Sequence, residues 1–229
     1  LEDMKKNKDI QDKLKLIEII GVGPSLADKL IKTGIKNFKD FKGKYTGKRT
    51  QLQEIGIKYY NKLKKPKINT FYQIVKILCK QIEGIEDIVI AGSYRTGNQN
   101  PSDIDVVVCS KDGKIKNTLE TLTKLGILVD HVNSGKEDIF GIIKLNNKFY
   151  KIDIKTTTSK YFASYMLYFG SGKYFSKYIR GITKEKGFKL NQYGITLKDG
   201  KLKTFRSEKA IFNFLKIPYL TPQERVLFY

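Results

Sequence analysis

Apolar positions along this chain change their period twice, from helical to alternating and then to a mixture of the two. Residues 10–63 read as short helices. The run Lys13-Leu14-Lys15-Leu16-Ile17-Glu18-Ile19-Ile20 meets Gly21-Val22-Gly23-Pro24-Ser25, after which Leu26, Ala27, Leu30 and Ile31 recur at helical spacing until Thr33-Gly34. Lys64-Lys65-Pro66-Lys67 then breaks the pattern. Phe71–Ile82 is helical, with Phe71, Ile74, Val75, Leu78 and Ile82 on one stripe. Strands are expected at Asp87–Ala91, Ile104–Cys109, Ile139–Leu145 and Lys148–Thr156, the last two flanking a hairpin turn at Asn146-Asn147. Asn117–Leu125 carries a helical period. The last third mixes helices near Tyr161–Phe169, Phe175–Lys184 and Glu208–Phe214 with a short strand pair around Asp199-Gly200. No internal repeat or low-complexity tract interrupts this order.

Charge divides the chain at the same places. The formal net charge is +21, far beyond what solubility requires, and a polyanionic partner is its natural explanation. Residues 1–65 carry +9, residues 66–159 only +2, and residues 160–229 carry +10. A lysine-biased composition would not by itself leave the middle neutral. No apolar run approaches the roughly 20 residues that span a bilayer, and the first fifteen residues are too polar for a secretory signal, so no membrane association is expected. Cys79 and Cys109 lie in apolar runs and read as small core residues of a reducing, intracellular compartment; nucleus, or viral particle or factory, is the expected location.

Three groups of residues carry chemistry. Gly21-Val22-Gly23 between two short helices is a turn whose amides can approach a phosphate at a helix N-terminus; a glycine C-cap followed by Pro at N1 reads the same residues structurally. Gly92-Ser93-Tyr94-Arg95-Thr96-Gly97 follows an apolar strand, and its glycines permit a strained turn beside a triphosphate, with Ser93 able to donate to an oxygen. Asp103 and Asp105 then stand at i and i+2 on a strand, both on one side. Val106-Val107-Val108 makes that strand interior, where unpaired carboxylates are costly; two Mg²⁺ ions, or Mn²⁺, supply the missing charge. Asp153, on an amphipathic strand between Lys151 and Lys155, is an ordinary surface residue alone and a third metal ligand in this company.

With those residues in view, the chain resembles the family X DNA polymerases. The resemblance runs from about Ile17 to Arg225. It rests on Gly21-Val22-Gly23-Pro24-Ser25, Gly92-Ser93-Tyr94-Arg95, Asp103-Ile104-Asp105, Asp153, Leu167-Tyr168-Phe169, Arg180 and Glu185-Lys186-Gly187-Phe188. It implies an α+β fold: a polymerase-beta-like nucleotidyltransferase palm at 66–159, a helix-hairpin-helix, thumb-like DNA-binding domain at 1–65, and a small α+β nucleotide-binding, closing domain at 160–229. It implies that Asp103 and Asp105 bind both metals and that Asp153 binds the catalytic one and helps take the primer proton. Gly92, Ser93, Ser102 and Gly172 would serve the triphosphate, with Arg95 a structural or phosphate partner, while Tyr168 and Phe169 line the sugar and discriminate against a 2′-OH. Arg180 would reach the minor groove. Lys151, Lys155 and Tyr193 would complete the DNA side, and Gly21, Val22, Gly23 and Ser25 would grip a phosphate. A monovalent cation would sit on Ile17, Ile19 and Val22. The implied activity is template-directed addition of dNTPs to a primer 3′-OH, filling gaps in duplex DNA or extending a primer–template junction, by a monomer.

Departures from the family pattern sharpen these expectations. Thr96 stands where a second arginine is common, so Lys67 could supply the phosphate charge. Gly170-Ser171-Gly172 replaces Thr-Gly-Ser; lysines flank Asp153 in place of arginines; and Gln192, replacing a glutamate, is expected to meet Lys155. With about sixteen residues before the first turn, the amino-terminal lyase domain of beta-type enzymes is expected to be missing. His131 reads as a surface strand residue, Pro222–Arg225 as a structural tail, and the aromatics Tyr161–Tyr178 mostly as core. Two rivals remain: a template-independent or RNA-directed nucleotidyltransferase, and a non-catalytic DNA-binding protein, against which the three aspartates argue.

Overall fold

A computed structural model describes residues 8–113, 116–133 and 138–228; the polar lead of the chain before Lys8 lies outside them. The chain divides between Leu63 and Lys64 into two compact units.

The first unit is helical: α1 (Lys8–Ile17), α2 (Pro24–Lys32), α3 (Phe38–Lys44) and α4 (Gln51–Tyr59). Its core gathers the stripe residues Leu16, Ala27 and Leu30 with Ile19, Val22, Ile35 and Phe41. Pro24 starts α2 because a proline at N1 gives up an amide that no helical carbonyl needs. Asn37 caps α3 by accepting from the Asp40 amide, and Thr50 with Gln53 forms a reciprocal capping box on α4. Gly21 adopts φ +84°, and a Cβ there would press on Gln53 at 2.9 Å. The same Gln53 donates from Nε2 to the Gly21 carbonyl at 3.2 Å, so α4 braces the α1–α2 turn from behind.

The second unit is α+β. Helix α5 (Ile68–Gln81) leads into β1 (Ile85–Ile90), the single-turn α6 (Gly92–Arg95), β2 (Ile104–Ser110), α7 (Lys116–Lys124), β3 (Leu128–Asn133), β4 (Asp138–Leu145) and β5 (Lys148–Thr157). The strands form one sheet of order β1-β2-β5-β4-β3, parallel only between β2 and β5. β2 lies inside the sheet between β1 and β5 and is buried almost throughout, which is why its sequence is a nearly unbroken apolar run. Asn146 and Asn147, at φ +49° and +60°, make the tight hairpin turn expected between β4 and β5. His131 lies on β3, opposite Gly141.

The two faces of this sheet differ. Ile104, Val106, Val108, Ile152 and Ile154 pack with Phe71, Ile74, Leu78 and Leu122 from α5 and α7. The other face carries Asp105, Val107, Asp153 and Lys155, and Val107 meets Tyr165 and Met166 of α8 (Ser159–Phe169). Asp103 sits just before β2. Beyond α8, helix α9 (Lys173–Glu185), the sheet β6 (Lys189–Asn191), β7 (Gly194–Thr196), β8 (Leu202–Lys203), helix α10 (Glu208–Leu215) and a 3₁₀ turn (Glu224–Leu227) share a core of Phe175, Ile179, Ile195, Ile211, Phe212 and Leu215.

Two expectations change. Cys79 is exposed on α5 and only Cys109 is buried, because position 79 falls off the Phe71–Leu78 stripe. Tyr174 and Tyr178 do not join the core; they stand 52% and 45% exposed on α9.

Candidate active site

The geometry starts from register. In the parallel β2–β5 pair Asp105 stands directly opposite Asp153, so two carboxylates on the same sheet face are neighbours by construction. Asp103 joins from two residues upstream. Such a cluster raises the cost of ionisation. Burial first, then Asp103 and Asp153, push the Asp105 carboxyl from an ordinary 3.8 to about 7, against the pull of Lys155 and Lys151. The lysines supply countercharge: Lys151 Nζ lies 3.4 Å from Asp103, and Lys155 Nζ lies 2.9 Å from Asp153 Oδ1 and 3.4 Å from Asp138 Oδ2. Lys155 also stands 5.1 Å from the centre of the Phe169 ring. The expected Lys155–Gln192 meeting is therefore replaced by an ion pair across the β4–β5 hairpin, where Asp138 is the register partner of Lys155.

Gly92 sits at φ +55° at the start of α6, and a Cβ there would overlap the Asp105 carboxylate. The glycine thus serves the carboxylate as well as the turn. Gly92→Ala is expected to cost roughly 1–3 kcal/mol of stability through the left-handed backbone and to displace Asp105. Denaturant unfolding and primer extension check the two effects separately.

Around this centre the remaining site residues take definite places. Ser102 Oγ donates to Asp103 at 3.0 Å. The Ser93 carbonyl accepts from the Thr96 hydroxyl at 3.0 Å, so Thr96, 8% exposed, closes the α6 turn. Arg95 turns the other way, donating to the Gly170 carbonyl at 3.1 Å and to Glu208. Gly172, at φ +77°, is the N-cap of α9. The rings of Tyr168 and Phe169 meet edge-on at 5.0 Å, and the Arg180 guanidinium lies 5.6 Å over Tyr168. Tyr193 packs edge-on against Tyr161 and Tyr165 at 5.5 and 5.9 Å. A chain of contacts thus joins Asp153, Lys155, Phe169, Tyr168 and Arg180. Gly21, Val22, Gly23 and Ser25 belong to the first unit, where Gly23 is an open N-cap with nothing within 4 Å of its missing Cβ. The Ile19 carbonyl accepts from the Val22 amide at 3.0 Å.

Do these carboxylates suit divalent cations? Asp153 Oδ1 is buried and accepts no well-formed hydrogen bond, despite its 2.9 Å approach to Lys155. Asp105 is a half-buried carboxyl whose desolvation and acidic neighbours disfavour its negative charge. Oxygen donors of this kind are what Mg²⁺ or Mn²⁺ takes. Among the described residues no three acidic, histidine or cysteine side chains are arranged to hold an ion as they stand. The donor chemistry fits, and enclosing an ion requires the side chains to move off their lysines.

A pH dependence follows for the chelator-treated protein. An acid whose folded pKa is raised holds its proton longer folded than unfolded, so stability falls as pH climbs from about 4 to about 7. Asp105→Asn should leave stability unchanged below that window and raise it above, read as the difference between the two proteins' denaturant midpoints across the pH range.

Sequence reasoning missed Asp138 and Glu208, and read Arg225 only as part of a structural tail although it is wholly buried. Asp138 was within reach, because a turn at Asn146-Asn147 counts back to pair it with Lys155. Glu208 and Arg225 carried no local signal; they meet through distant contacts, with Arg225 Nη1 2.6 Å from Glu208 Oε1.

Comparison with known proteins covers most of the chain. Three family models match in series: "Fingers domain of DNA polymerase lambda" at residues 15–64, "DNA polymerase beta palm" at 63–159 and "DNA polymerase beta thumb" at 165–226. The thumb label thus falls on the C-terminal part and the fingers label on the helical unit, reversing the thumb-like expectation for the latter. DNA polymerase lambda of Rattus norvegicus is 24% identical, covering 97% of this chain and 44% of its own length. DNA polymerase lambda of Arabidopsis thaliana is 24% identical, covering 92% and 45%. DNA nucleotidylexotransferase of Xenopus laevis is 23% identical, covering 90% and 50%. The chain spans about half the length of these relatives. No described helix is long and apolar enough to cross a membrane.

Proposed function

This chain belongs to the family X DNA polymerases, and from that premise we propose that it is a template-directed DNA polymerase adding dNTPs to a primer 3′-OH, acting on gapped or primer–template DNA in repair. The observation that carries the reading is the Asp105–Asp153 register with Asp103 beside it, on the α8 side of a palm-matched sheet. Family X polymerases use divalent metal ions. Asp103, Asp105 and Asp153 would hold two such ions, whose charge would lower the pKa of the primer hydroxyl and offset that of the leaving pyrophosphate.

The chain's own residues do the rest. Asp153, whose Oδ1 has only the approach of Lys155 and no formed hydrogen bond, would accept the primer hydroxyl's hydrogen bond. The Gly92–Ser93 turn presents amide and hydroxyl donors to the triphosphate, Ser102 steadies Asp103, and Tyr168 with Phe169 flanks the sugar and excludes a 2′-OH. Lys151 and Lys155 neutralise the carboxylates until positive charge arrives, and Arg180 stands over Tyr168 where the new base pair would lie. The helical unit acts as a helix-hairpin-helix, its Gly21, Val22, Gly23 and Ser25 amides gripping a phosphate with a monovalent cation on the Ile17, Ile19 and Val22 carbonyls. The basic 160–229 segment closes on the nucleotide, as the third of three domains at 1–65, 66–159 and 160–229. The protein works as a monomer inside the cell, with nucleus or viral factory as its place.

Primer extension on single-nucleotide-gapped, nicked and blunt DNA, with each dNTP and the matching NTP separately, tests this. Incorporation should follow the template and favour gaps and dNTPs. Untemplated addition to single-stranded ends would overturn template direction, a second reading that the nucleotidylexotransferase relative keeps in view.

A further inference from the structure

Helix α9 has three faces. Phe175, Ile179 and Thr183 are buried. A second stripe holds Lys173, Lys177, Arg180 and Lys184, all exposed, four cations on one line with no acid among them. A third, on the opposite flank of the basic line from the buried one, holds Tyr174 and Tyr178, half exposed one turn apart, beside Gly181. Helices on a surface seldom spend two large aromatics on solvent, and here they lie alongside the basic line.

We propose that this face of α9 is a stacking platform for the unpaired template strand ahead of the primer end: phosphates on the lysine stripe, bases on Tyr174 and Tyr178. The inference rests on the polymerase reading, which supplies an unpaired strand, and adds to it a site for that strand. Charge complementarity names the occupant, since residues 160–229 carry +10 and any base offers a π-face to an aromatic ring regardless of sequence. Paired bases cannot reach the tyrosines, because their faces are already stacked, so duplex DNA is not the ligand. Position agrees. Arg180 of the basic stripe lies over the Tyr168 ring, where the incoming nucleotide is placed, and Lys173 Nζ stands 6.0 Å from the Tyr174 ring. The Tyr178 ring is backed by Phe228 at 4.5 Å, which holds one edge of the platform still. Gly181 leaves the surface beyond the tyrosines low, and Glu185 ends the stripe with a charge that repels phosphate, limiting the platform to the first two turns.

The test uses the full chain and fluorescence anisotropy with a labelled primer–template bearing a short oligothymidine template overhang, the same overhang made of abasic sites, and the blunt duplex. Tyr174→Ala is expected to weaken overhang binding roughly tenfold, to leave blunt-duplex binding unchanged, and to do nothing on the abasic overhang. Tyr174→Phe, which keeps the ring, should restore binding. Tyr178→Ala should act likewise, with a thermal melt separating lost stacking from lost packing on Phe228. Unchanged overhang affinity in both alanine variants would overturn the proposal and give the face to a protein partner; equal weakening on all three DNAs would overturn it in favour of general phosphate binding. Extension by the unmodified chain at a single-nucleotide gap judges the polymerase reading separately.

Discussion

Primer extension by an Asp105→Asn variant is expected to fall roughly a thousandfold or more, which corresponds to at least about 4 kcal/mol of barrier, while affinity for gapped DNA stays near that of the unmodified chain. The reason lies in what the carboxylate contributes. The substituted amide keeps the shape, the strand position and the approach to Gly92, and removes only the negative charge that would face a cation. If Asp105 were a packed strand residue with no chemical task, its amide analogue would extend primers normally. Asp153→Ala should give the same loss by removing the oxygen that would face the primer hydroxyl. The stability change should run opposite to the activity change: Asp105 is a burden to the chelated fold above pH 7, so the inactive asparagine variant should unfold at higher denaturant. Gain of stability with loss of function at one position is the pattern of a site whose repulsion serves catalysis. Activity retained in Asp105→Asn would remove it from the centre, whatever happened to stability.

How much of this was legible beforehand depends on the range of the interactions concerned. The Asp-x-Asp spacing, the apolar run after it and the Asn-Asn turn are local, and local periodicity was enough to place β2, β4 and β5 and the face on which Asp105 lies. The pairing of β2 with β5 was not legible. A parallel neighbour is chosen by burial of whole faces, and nothing within either strand's sequence says that Asp105 stands opposite Asp153. The same holds for Lys155. Its flanking of Asp153 is plain in the sequence, but its preference for Asp138 over Gln192 is decided by hairpin register, which the turn position encodes and which had to be counted out. Tyr174 and Tyr178 show a different failure. Aromatic residues at close intervals suggest core, yet on α9 the positions 175, 179 and 183 already fill the buried stripe, and 174 and 178 are turned away by the 3.6-residue period. Arg225 was the least legible of all. A fully buried arginine has no sequence signature, because what makes it tolerable is a carboxylate seventeen residues away, the Leu220 carbonyl and the Ser171 hydroxyl, met together only in the folded chain.

That arginine leads to the second large effect. Glu208, at the first turn of α10, accepts from Arg225 Nη1 at 2.6 Å and from both Arg95 Nη nitrogens. Its side chain is 10% exposed and that of Arg225 wholly buried. Arg225 is further satisfied by Ser171 Oγ at 2.8 Å and twice by the Leu220 carbonyl, and it lies between the rings of Phe175, Phe212 and Tyr219. Such an assembly is not worth much compared with an apolar core of equal volume, since three ions had to leave water to make it. Its loss by halves is another matter. Glu208→Ala would leave two guanidinium groups enclosed with one carboxylate removed, a penalty of about 3–5 kcal/mol, or a drop in melting temperature on the order of 10 °C for a unit of this size. Glu208→Gln keeps the acceptor oxygen and should lie between. Function should follow stability by a physical route: Arg95 also holds the Gly170 carbonyl, two residues before the α9 N-cap, so freeing Arg95 loosens the segment between Tyr168-Phe169 and α9. At a temperature where the variant is still folded, the apparent KM for dNTP should therefore rise more than kcat falls. Equal melting temperatures for the alanine variant and the unmodified chain would show that the two arginines find water or other acceptors, and the network would then be incidental to the fold.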